Sequence, residues 1–221
     1  MTSPSVAGQA GQSLADRAYQ AISERLVTLG IRPGEPVNDE RIAAELGFGR
    51  TPVREALKRL ETERLIVAYP RRGTFATEVQ IADLGHISEV RQQLEPLAAA
   101  LAAERATERD RAGLGELLTR LENESHATAD GGADLIRLDM AVHRALYATT
   151  YNPYLQDTLI RYDNLATRIW CLFIDRLPGL AGHVREHGPL LRAVIDGDPQ
   201  KAAALAAGHV EGFETAIRGI I

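Results

Sequence analysis

Four side chains with metal-ligand chemistry occur in the second half of the sequence. Asp139 and His143 are four residues apart, so on a helix both side chains leave the same face. His187 and His209 lie in two later helix-like segments, where a helical bundle could bring them inward. Three neutral imidazoles and one carboxylate suit a borderline divalent ion such as Zn, Ni or Mn, and leave room for water or a ligand oxygen.

The spacing alone leaves the ligand set open. An Asp and a His four residues apart are also a common surface pair, and His183 with His187 forms a second pair of that spacing. His86 and His126 have no recognisable partner, and we expect both at the solvated surface. The one cysteine, Cys171, lies in the apolar segment RIWCLFID, which indicates a core residue rather than a nucleophile.

A second group of candidate binding residues is cationic and lies within the helical segment GRTPVREALKRLE, residues 49–61. Thr51 before Pro52 predicts the helix start, with Thr51 as the N-cap residue. Arg50, Arg54 and Lys58 then rise in four-residue steps along one face. A separate apolar stripe is predicted to be buried and comprises Val53, Ala56, Leu57 and Leu60. Cations are unfavourable at a helix N-terminus, so the arrangement indicates an anion-binding face, although a solvated charged face remains compatible.

The segments around this helix predict a helix-turn-helix with a wing. An amphipathic helix covers residues 14–29, and a second short helix is capped by Asn38 or Asp39 and stopped by Gly47. After the cationic helix, β-prone segments 66–69 and 74–77 flank the basic turn PRRG, which predicts a hairpin. Its tip would bring Arg71 and Arg72 against phosphates or the adjacent minor groove.

Composition describes an ordinary globular chain of 221 residues, with 45% hydrophobic and 25% charged residues. Residues 1–13 carry neither charge nor an apolar run, so we expect a flexible tail rather than a signal peptide. Apolar runs are far shorter than a membrane-spanning helix requires. We therefore expect a soluble cytoplasmic protein that does not associate with a membrane. The net charge is −5, yet residues 14–77 contain eleven Arg or Lys against nine Asp or Glu. The first third of the chain therefore has a small net positive charge, whereas the remainder is acidic.

The remainder of the sequence predicts only helices. Six segments from residue 81 onward show apolar spacing of three and four residues and are separated by Gly, Pro or Asp. No Walker loop, His-Glu-x-x-His or Gly-x-Ser-x-Gly motif occurs. We therefore predict a mostly α protein: a winged helix-turn-helix at 14–78, followed by an all-α six-helix bundle at 79–221.

The first part resembles a known family. The stretch IRPGEPVNDERIAAELGFGRTPVREALKRLETERLIVAYPRRGTFATEV is similar to the winged helix-turn-helix of GntR-family bacterial transcription regulators. The resemblance implies DNA contacts from the recognition helix and the wing, and Lys58 is added from helix geometry alone. The implied residues are Arg50, Thr51, Arg54, Arg71, Arg72 and Gly73. Two positions depart from the family pattern: Gly49 replaces Ser or Thr, and Arg64 replaces Gly.

The second part resembles the FCD ligand-binding domain of the FadR subfamily, in the segments VRQQLEPLAAALAA, LDMAVHRALYATTYNPYL and EHGPLLRAVIDGDPQKAAALAAGHV. The resemblance implies the metal-binding branch, and His183 is left outside its ligand set. The implied ligands are Asp139, His143, His187 and His209, with Zn as the first choice of metal. The implied effector is a small organic acid, for which Arg91 is a candidate carboxylate clamp and Arg168 a weaker one.

Together these features predict a homodimeric, operator-binding transcription regulator, a repressor in the commoner case, which responds to a small carboxylate. Dimerisation is expected because one winged helix reads few base pairs, whereas two half-sites multiply the affinity. Two alternatives remain open. One is a metal-dependent hydrolase or lyase fused to a DNA-binding module, and the other is a DNA-binding protein whose metal is purely structural.

Overall fold

The computed structural model describes residues 12–124, 132–174 and 180–220, and most of the expected N-terminal tail lies outside them, as does His126. The chain divides into two compact units, the first ending at Val79 and the second beginning at Gln80. The first unit contains α1 (Leu14–Val27), α2 (Asp39–Leu46), α3 (Arg50–Thr62), β1 (Ile66–Tyr69) and β2 (Gly73–Ala76). The second contains a 3-10 turn (Ile81–Asp83), α4 (Leu84–Arg105), α5 (Glu108–Glu124), α6 (Gly132–Thr149), α7 (Pro153–Phe173), α8 (Leu180–Arg185), α9 (His187–Asp196) and α10 (Pro199–Arg218).

Helices α1 and α2 begin at side-chain caps. The Ser13 hydroxyl accepts a hydrogen bond from the Asp16 backbone N–H, and the Asn38 side chain accepts one from the Arg41 N–H. Gly47 ends α2 in the left-handed conformation, at φ 67°, which a glycine adopts without steric cost. Of the two capping residues that the sequence offered for α2, the structure uses Asn38.

The predicted start of α3 is wrong by two residues. The helix begins at Arg50, and Gly49 is the N-cap, with no side-chain hydrogen bond to the first turn. The backbone carbonyl of Gly49 accepts from the Val53 N–H at 3.4 Å, so Thr51 and Pro52 both lie inside the first turn. The predicted apolar stripe is buried as expected, at Val53, Ala56, Leu57 and Leu60.

The predicted hairpin is present. Strands β1 and β2 pair antiparallel, from Ile66 opposite Ala76 to Tyr69 opposite Gly73. The turn between them has two left-handed residues, Arg71 at φ 64° and Gly73 at φ 96°. The second strand begins at Gly73, one residue earlier than the sequence predicted.

The predicted fold class is confirmed, with one helix more than expected in the described residues of the second unit. Segment 182–197, predicted as one helix, is divided into α8 and α9, with Glu186 between them. Pro189 explains the break, because it has no N–H to donate to the carbonyl of Arg185 and its ring would clash there. All of the helices α4 to α10 contribute to the core of this unit, which includes Ala98, Leu114, Leu138, Leu159, Val184, Leu191 and Ala206. In the described part of the chain, no helix is long and apolar enough to cross a bilayer.

Candidate metal centre and nucleic-acid interface

The four predicted metal ligands converge in the interior of the second unit. Asp139 and His143 come from α6, His187 is the first residue of α9, and His209 comes from α10. One potential ligand atom from each lies within 4.8 Å of the others, and all four side chains are buried. The division of α8 from α9 places His187 at a helix start, where its ring faces α6 and α10.

Each histidine is oriented by a hydrogen bond on its outer nitrogen. Nδ1 of His187 lies 3.1 Å from the Val184 carbonyl oxygen, and Nδ1 of His209 lies 3.2 Å from Oε2 of Glu186. These oxygens only accept, so both Nδ1 atoms carry the proton. Nδ1 of His143 lies 3.0 Å from the Tyr147 hydroxyl and 3.6 Å from Oε2 of Glu95, and the nearby carboxylate favours the tautomer in which Nδ1 carries the proton and donates to the hydroxyl. All three Nε2 lone pairs are consequently available on the inner side.

Two of the inner atoms have no hydrogen-bond partner among the described residues, and the other two lie within hydrogen-bonding distance of one another. Oδ1 of Asp139 and Nε2 of His209 are buried without a hydrogen bond among the described residues. Nε2 of His143 and Nε2 of His187 face one another at 3.2 Å. Two nitrogens bound to one ion at 2.0–2.1 Å, between tetrahedral and octahedral angles, are about 2.8–3.4 Å apart. The residues therefore fit a divalent cation, which would satisfy all four inner atoms.

The electrostatics of the four side chains favour a cation as well. Burial, together with the nearby carboxylate of Asp163, raises the pKa of Asp139 well above its usual value. Burial lowers the pKa of His143, His187 and His209, so the three imidazoles are neutral. Without an ion the three imidazoles are neutral and the carboxyl group of Asp139 is biased toward its protonated form, whereas a divalent ion would stabilise the ionised form of Asp139.

A buried polar network adjoins the ligands and contains Arg91. Its Nε lies 2.6 Å from Oε1 of Glu95, and its Nη2 lies 3.6 Å from Oδ1 of Asp163. Burial alone would lower the pKa of Arg91, but the two carboxylates outweigh burial and raise it. Burial raises the pKa of Asp163 to about 7, against the opposing effect of Arg91. Glu95, Asp163 and His143 could also hold an ion, but Arg91 already engages both carboxylates.

His183, which the predicted ligand set excludes, lies against that set. Its ring stacks on His209 with centroids 4.0 Å apart, and its Nδ1 lies 3.3 Å from Oε2 of Glu186. On its other side the His183 ring contacts Trp170, at a centroid distance of 4.3 Å. His183, Glu186 and His209 thus form a second group of potential ligands that shares His209 with the first.

The cationic face of α3 is exposed but partly neutralised within the first unit. Nη1 of Arg50 lies 2.8 Å from Oε1 of Glu40, and Nε of Arg54 lies 2.6 Å from Oδ2 of Asp39. Both acids belong to the first turn of α2, where they also suit the positive end of that helix. Thr51 and Lys58 are exposed on the same helix.

The hairpin turn adds a second exposed cationic element. Arg71, Arg72 and Gly73 are all exposed at the end of the two strands. A Cβ placed on Gly73 would meet nothing within 4 Å, so its φ of 96°, rather than a close contact, is what favours glycine there. A short helix pair with a basic winged hairpin is a nucleic-acid-binding arrangement.

Both units match described domain families. Residues 14–76 match the family "Bacterial regulatory proteins, gntR family", and residues 86–212 match the FCD domain. The chain belongs to the GntR family and carries an FCD domain. It is therefore a transcriptional regulator of the GntR/FCD type, which implies DNA binding.

Individual relatives agree with this assignment. The chain is 31% identical over 186 residues to the Nta operon transcriptional regulator of Aminobacter aminovorans, covering 84% of this chain and 85% of that protein. The solved structure of E. coli McbR/YncC superposes with a TM-score of 0.78 at 24% identity, over 94% of this chain and 98% of that one. A GntR regulator structure from Rhodococcus sp. RHA1 superposes with a TM-score of 0.68 at 21% identity, over 95% and 100%. These relatives are regulators, and this GntR-family protein is not an enzyme.

The two departures from the GntR pattern have visible local consequences. Gly49 caps α3 without a side-chain hydrogen bond, as expected where a hydroxyl residue is missing. Arg64 occupies the left-handed region at φ 64°, directly after the C-cap of α3, where the family usually has glycine. The turn geometry is thus retained, at the cost of a strained arginine.

Several residues of the FCD site were missed by the sequence interpretation. Glu95 lies four residues after Arg91, Tyr147 lies four after His143, and Glu186 directly precedes His187. The four-residue spacings were visible signals of contact along a helix, and so was the three-residue spacing of His183 and Glu186. Asp163 gave no such signal, because it reaches Arg91 only through the packing of α7 against α4.

The remaining predicted residues of the FCD domain have the following surroundings. Arg168 is almost fully buried on α7, and its charge acts on the Cys171 thiol. Burial raises the pKa of Cys171 to about 12, so the thiol stays protonated and unreactive. His86 is exposed, as expected.

Proposed function

We propose that this GntR-family regulator is a homodimeric repressor whose operator affinity is controlled by a small organic acid bound at a metal centre in the FCD domain. The observation that carries the proposal is the convergence of potential ligand atoms from Asp139, His143, His187 and His209 within 4.8 Å of one another, with Oδ1 of Asp139 and Nε2 of His209 buried and without a hydrogen bond among the described residues. The FCD match supports it, since metal centres are frequent in that domain.

The metal is proposed to be Zn, with Ni or Mn as alternatives. Neutral imidazoles bind all three ions, and the order of affinity for such sites favours Zn over Mn. A bound divalent ion would supply a Lewis-acid position for a carboxylate oxygen of the effector. The protein contributes the rest: Tyr147, Val184 and Glu186 hold the three imidazole rings in place, and burial excludes competing water.

Arg91 and Arg168 are the proposed cationic partners of the acid. Both are buried on helices that line the ligand cluster, α4 and α7. Arg91 is pre-positioned by Glu95 and Asp163 and lies over the Phe213 ring at 5.3 Å. Because its charge is already balanced, Arg91 would orient the acid through its remaining N–H groups rather than act as a free countercharge.

DNA recognition is assigned to α3 and the hairpin. Arg50, Thr51 and Arg54 at the N-terminal end of α3, with Lys58 one turn further, are proposed to enter the major groove. Arg71, Arg72 and Gly73 of the hairpin are proposed to contact phosphates or the adjacent minor groove. Two such units in a homodimer would read a two-fold-related operator, which one unit alone would bind weakly.

The test combines metal analysis with DNA binding. Operator duplexes enriched from a random library by the immobilised protein are titrated with zinc-loaded and chelator-stripped protein, with and without a panel of small mono-, di- and tricarboxylates. At least one acid is expected to change operator affinity by about 5- to 150-fold, and only with zinc-loaded protein. If stripping unfolds the FCD domain and no acid has an effect, the metal is structural and the regulatory proposal is wrong.

A further inference from the structure

His209 belongs to two ligand groups at once, one on each of its ring nitrogens. Its Nε2 faces Asp139, His143 and His187, and its Nδ1 faces Oε2 of Glu186 at 3.2 Å. Nδ1 of His183 lies 3.3 Å from that same oxygen. The outer group therefore consists of His183, Glu186 and His209, and its three ligand atoms lie within 4.8 Å of one another.

Exposure rises steadily from the inner group to the outer one. The side chains of His187 and Asp139 are 0% and 3% exposed, and that of His209 is 3% exposed. His183 reaches 11%, and Glu186 reaches 51%. Glu186 is thus a carboxylate in contact with solvent that touches an inner ligand directly. A hydrated cation can reach Glu186 without any rearrangement of the bundle, whereas the inner atoms are closed to it.

We propose that His183, Glu186 and His209 form a loading site, which captures the divalent ion from solvent and passes it to the inner group. The charge of Glu186 attracts the ion and His183 supplies a first nitrogen. Nδ1 of His209 binds the ion only in the tautomer whose proton is on Nε2. As the ion moves inward, Nε2 loses that proton to solvent and binds the ion, and Nδ1 regains a proton from solvent and donates it to Glu186. The charge of Glu186 and the imidazole of His183 speed the arrival and departure of the ion, whereas the contribution of Glu186 to the final affinity comes only from the oxygen that orients Nδ1 of His209. This inference rests on the metal centre of the proposed function.

The experiment measures the kinetics of zinc binding to full-length, chelator-stripped protein. Association is followed by stopped-flow fluorescence of Trp170, the chain's one tryptophan, whose ring contacts His183. Dissociation is followed after mixing zinc-loaded protein with excess EDTA, and Kd comes from competition with a metallochromic chelator. That chelator's absorbance also replaces fluorescence for the His183 variant, because this variant alters the surroundings of Trp170.

Three variants distinguish a role in capturing the ion from a role in orienting His209. Glu186→Gln removes the charge but keeps an oxygen that accepts from His209 Nδ1, and His183→Gln removes the outer imidazole. Glu211→Gln is the control, since Glu211 is an exposed acid on α10, two residues from His209 and on the opposite side of that helix. Both test variants are expected to lower the association and dissociation rates by about tenfold, with Kd within about twofold of wild type and the control unchanged.

Two results would overturn the loading role. Unchanged rates in both test variants would show that the ion enters by another path. A weaker Kd caused by faster dissociation, with normal association, would show that Glu186 only orients His209. Failure of the metal centre itself is recognised separately, because wild type would then bind no more zinc than His187→Gln does.

Discussion

Tyr147 and Glu95 both lie beside Nδ1 of His143, between the proposed metal ligands and Arg91. The Tyr147 hydroxyl is 3.0 Å and Oε2 of Glu95 is 3.6 Å from that nitrogen, and Oε1 of Glu95 pairs with Arg91. A change in the surroundings of Arg91 can therefore reach a metal-ligand candidate through two side chains. Such an outer partner fixes the tautomer and direction of the imidazole without touching the ion.

Loss of the Tyr147 hydroxyl should weaken zinc binding while leaving the fold intact. In Tyr147→Phe the Nδ1–H of His143 has no acceptor, so the ring is less firmly directed inward, and Kd for zinc should rise about tenfold. Chelator competition measures the change. Tyr151→Phe is the control, since that hydroxyl contacts Asp110 at the surface instead. Equal affinities in both variants would contradict the orienting role.

Removal of one inner ligand should abolish the effect of zinc on stability. Wild type with zinc at about one hundred times Kd should gain about 2.7 kcal/mol in the free energy of unfolding. His187→Gln should gain nothing and should contain no stoichiometric metal by elemental analysis. His86→Gln replaces an exposed histidine and should behave as wild type. A full complement of metal in His187→Gln would exclude this ligand set.

At the scale of single elements, α3 shows both what the sequence predicts and what it does not. Its buried stripe follows from the spacing of apolar residues, and so does the exposed row of cations. Its first residue did not follow, because Thr-Pro is a good start signal and the backbone of Gly49 capped the helix instead. The pairing of Arg54 with Asp39 could not be predicted, since it depends on how α2 packs against α3.

The C-terminal end of α3 is strained at Arg64, and the strain can be relieved. At φ 64° the Cβ of an L-residue crowds its own backbone, whereas glycine has no Cβ. Arg64→Gly should raise the free energy of unfolding by about 1 kcal/mol, or the Tm by about 2–4 °C. Arg64→Ala keeps the Cβ and is the control. The strain argument fails if calorimetry finds the two variants equally stable.

The acids of α2 should restrain the cations of α3 until DNA is bound. Arg54 first, and then Arg50, hold the pKa of Asp39 below its usual value, so this carboxylate stays ionised at every pH above about 4. Asp39→Asn should raise the affinity for a random-sequence duplex several-fold at low salt and steepen its salt dependence. Glu55→Gln is the control, because it changes the net charge by the same amount as Asp39→Asn but at a residue of α3 itself. Equal anisotropy titrations for both variants would show that the pairing with Asp39 has no effect.

At the scale of the whole molecule, the proposed ligand and DNA residues lie in different units of the chain. Periodicity predicted most of the helices of the FCD domain, and the family resemblance, rather than the spacing alone, implied the set of three histidines and Asp139. Periodicity could not predict Asp163 beside Arg91, or His183 against His209, because those contacts exist only once α7, α8 and α10 have packed. The proposed regulation would therefore be a coupling free energy between two sites whose proposed residues belong to different units of the chain.

This coupling has a consequence that can be measured from either side. If an acid changes operator affinity by some factor, the operator must change the affinity for that acid by the same factor, because binding free energies form a closed cycle. Calorimetric titration of zinc-loaded protein with the acid, with and without saturating operator, should reproduce the factor from DNA titrations, about 5- to 150-fold. An Arg54→Ala, Arg71→Ala protein is the control, since it should bind the acid normally and ignore the duplex. An acid whose affinity does not depend on the operator cannot be the regulator. Such a ligand binds the operator-bound and the operator-free protein equally well, so it does not shift the population between them, however tightly it binds.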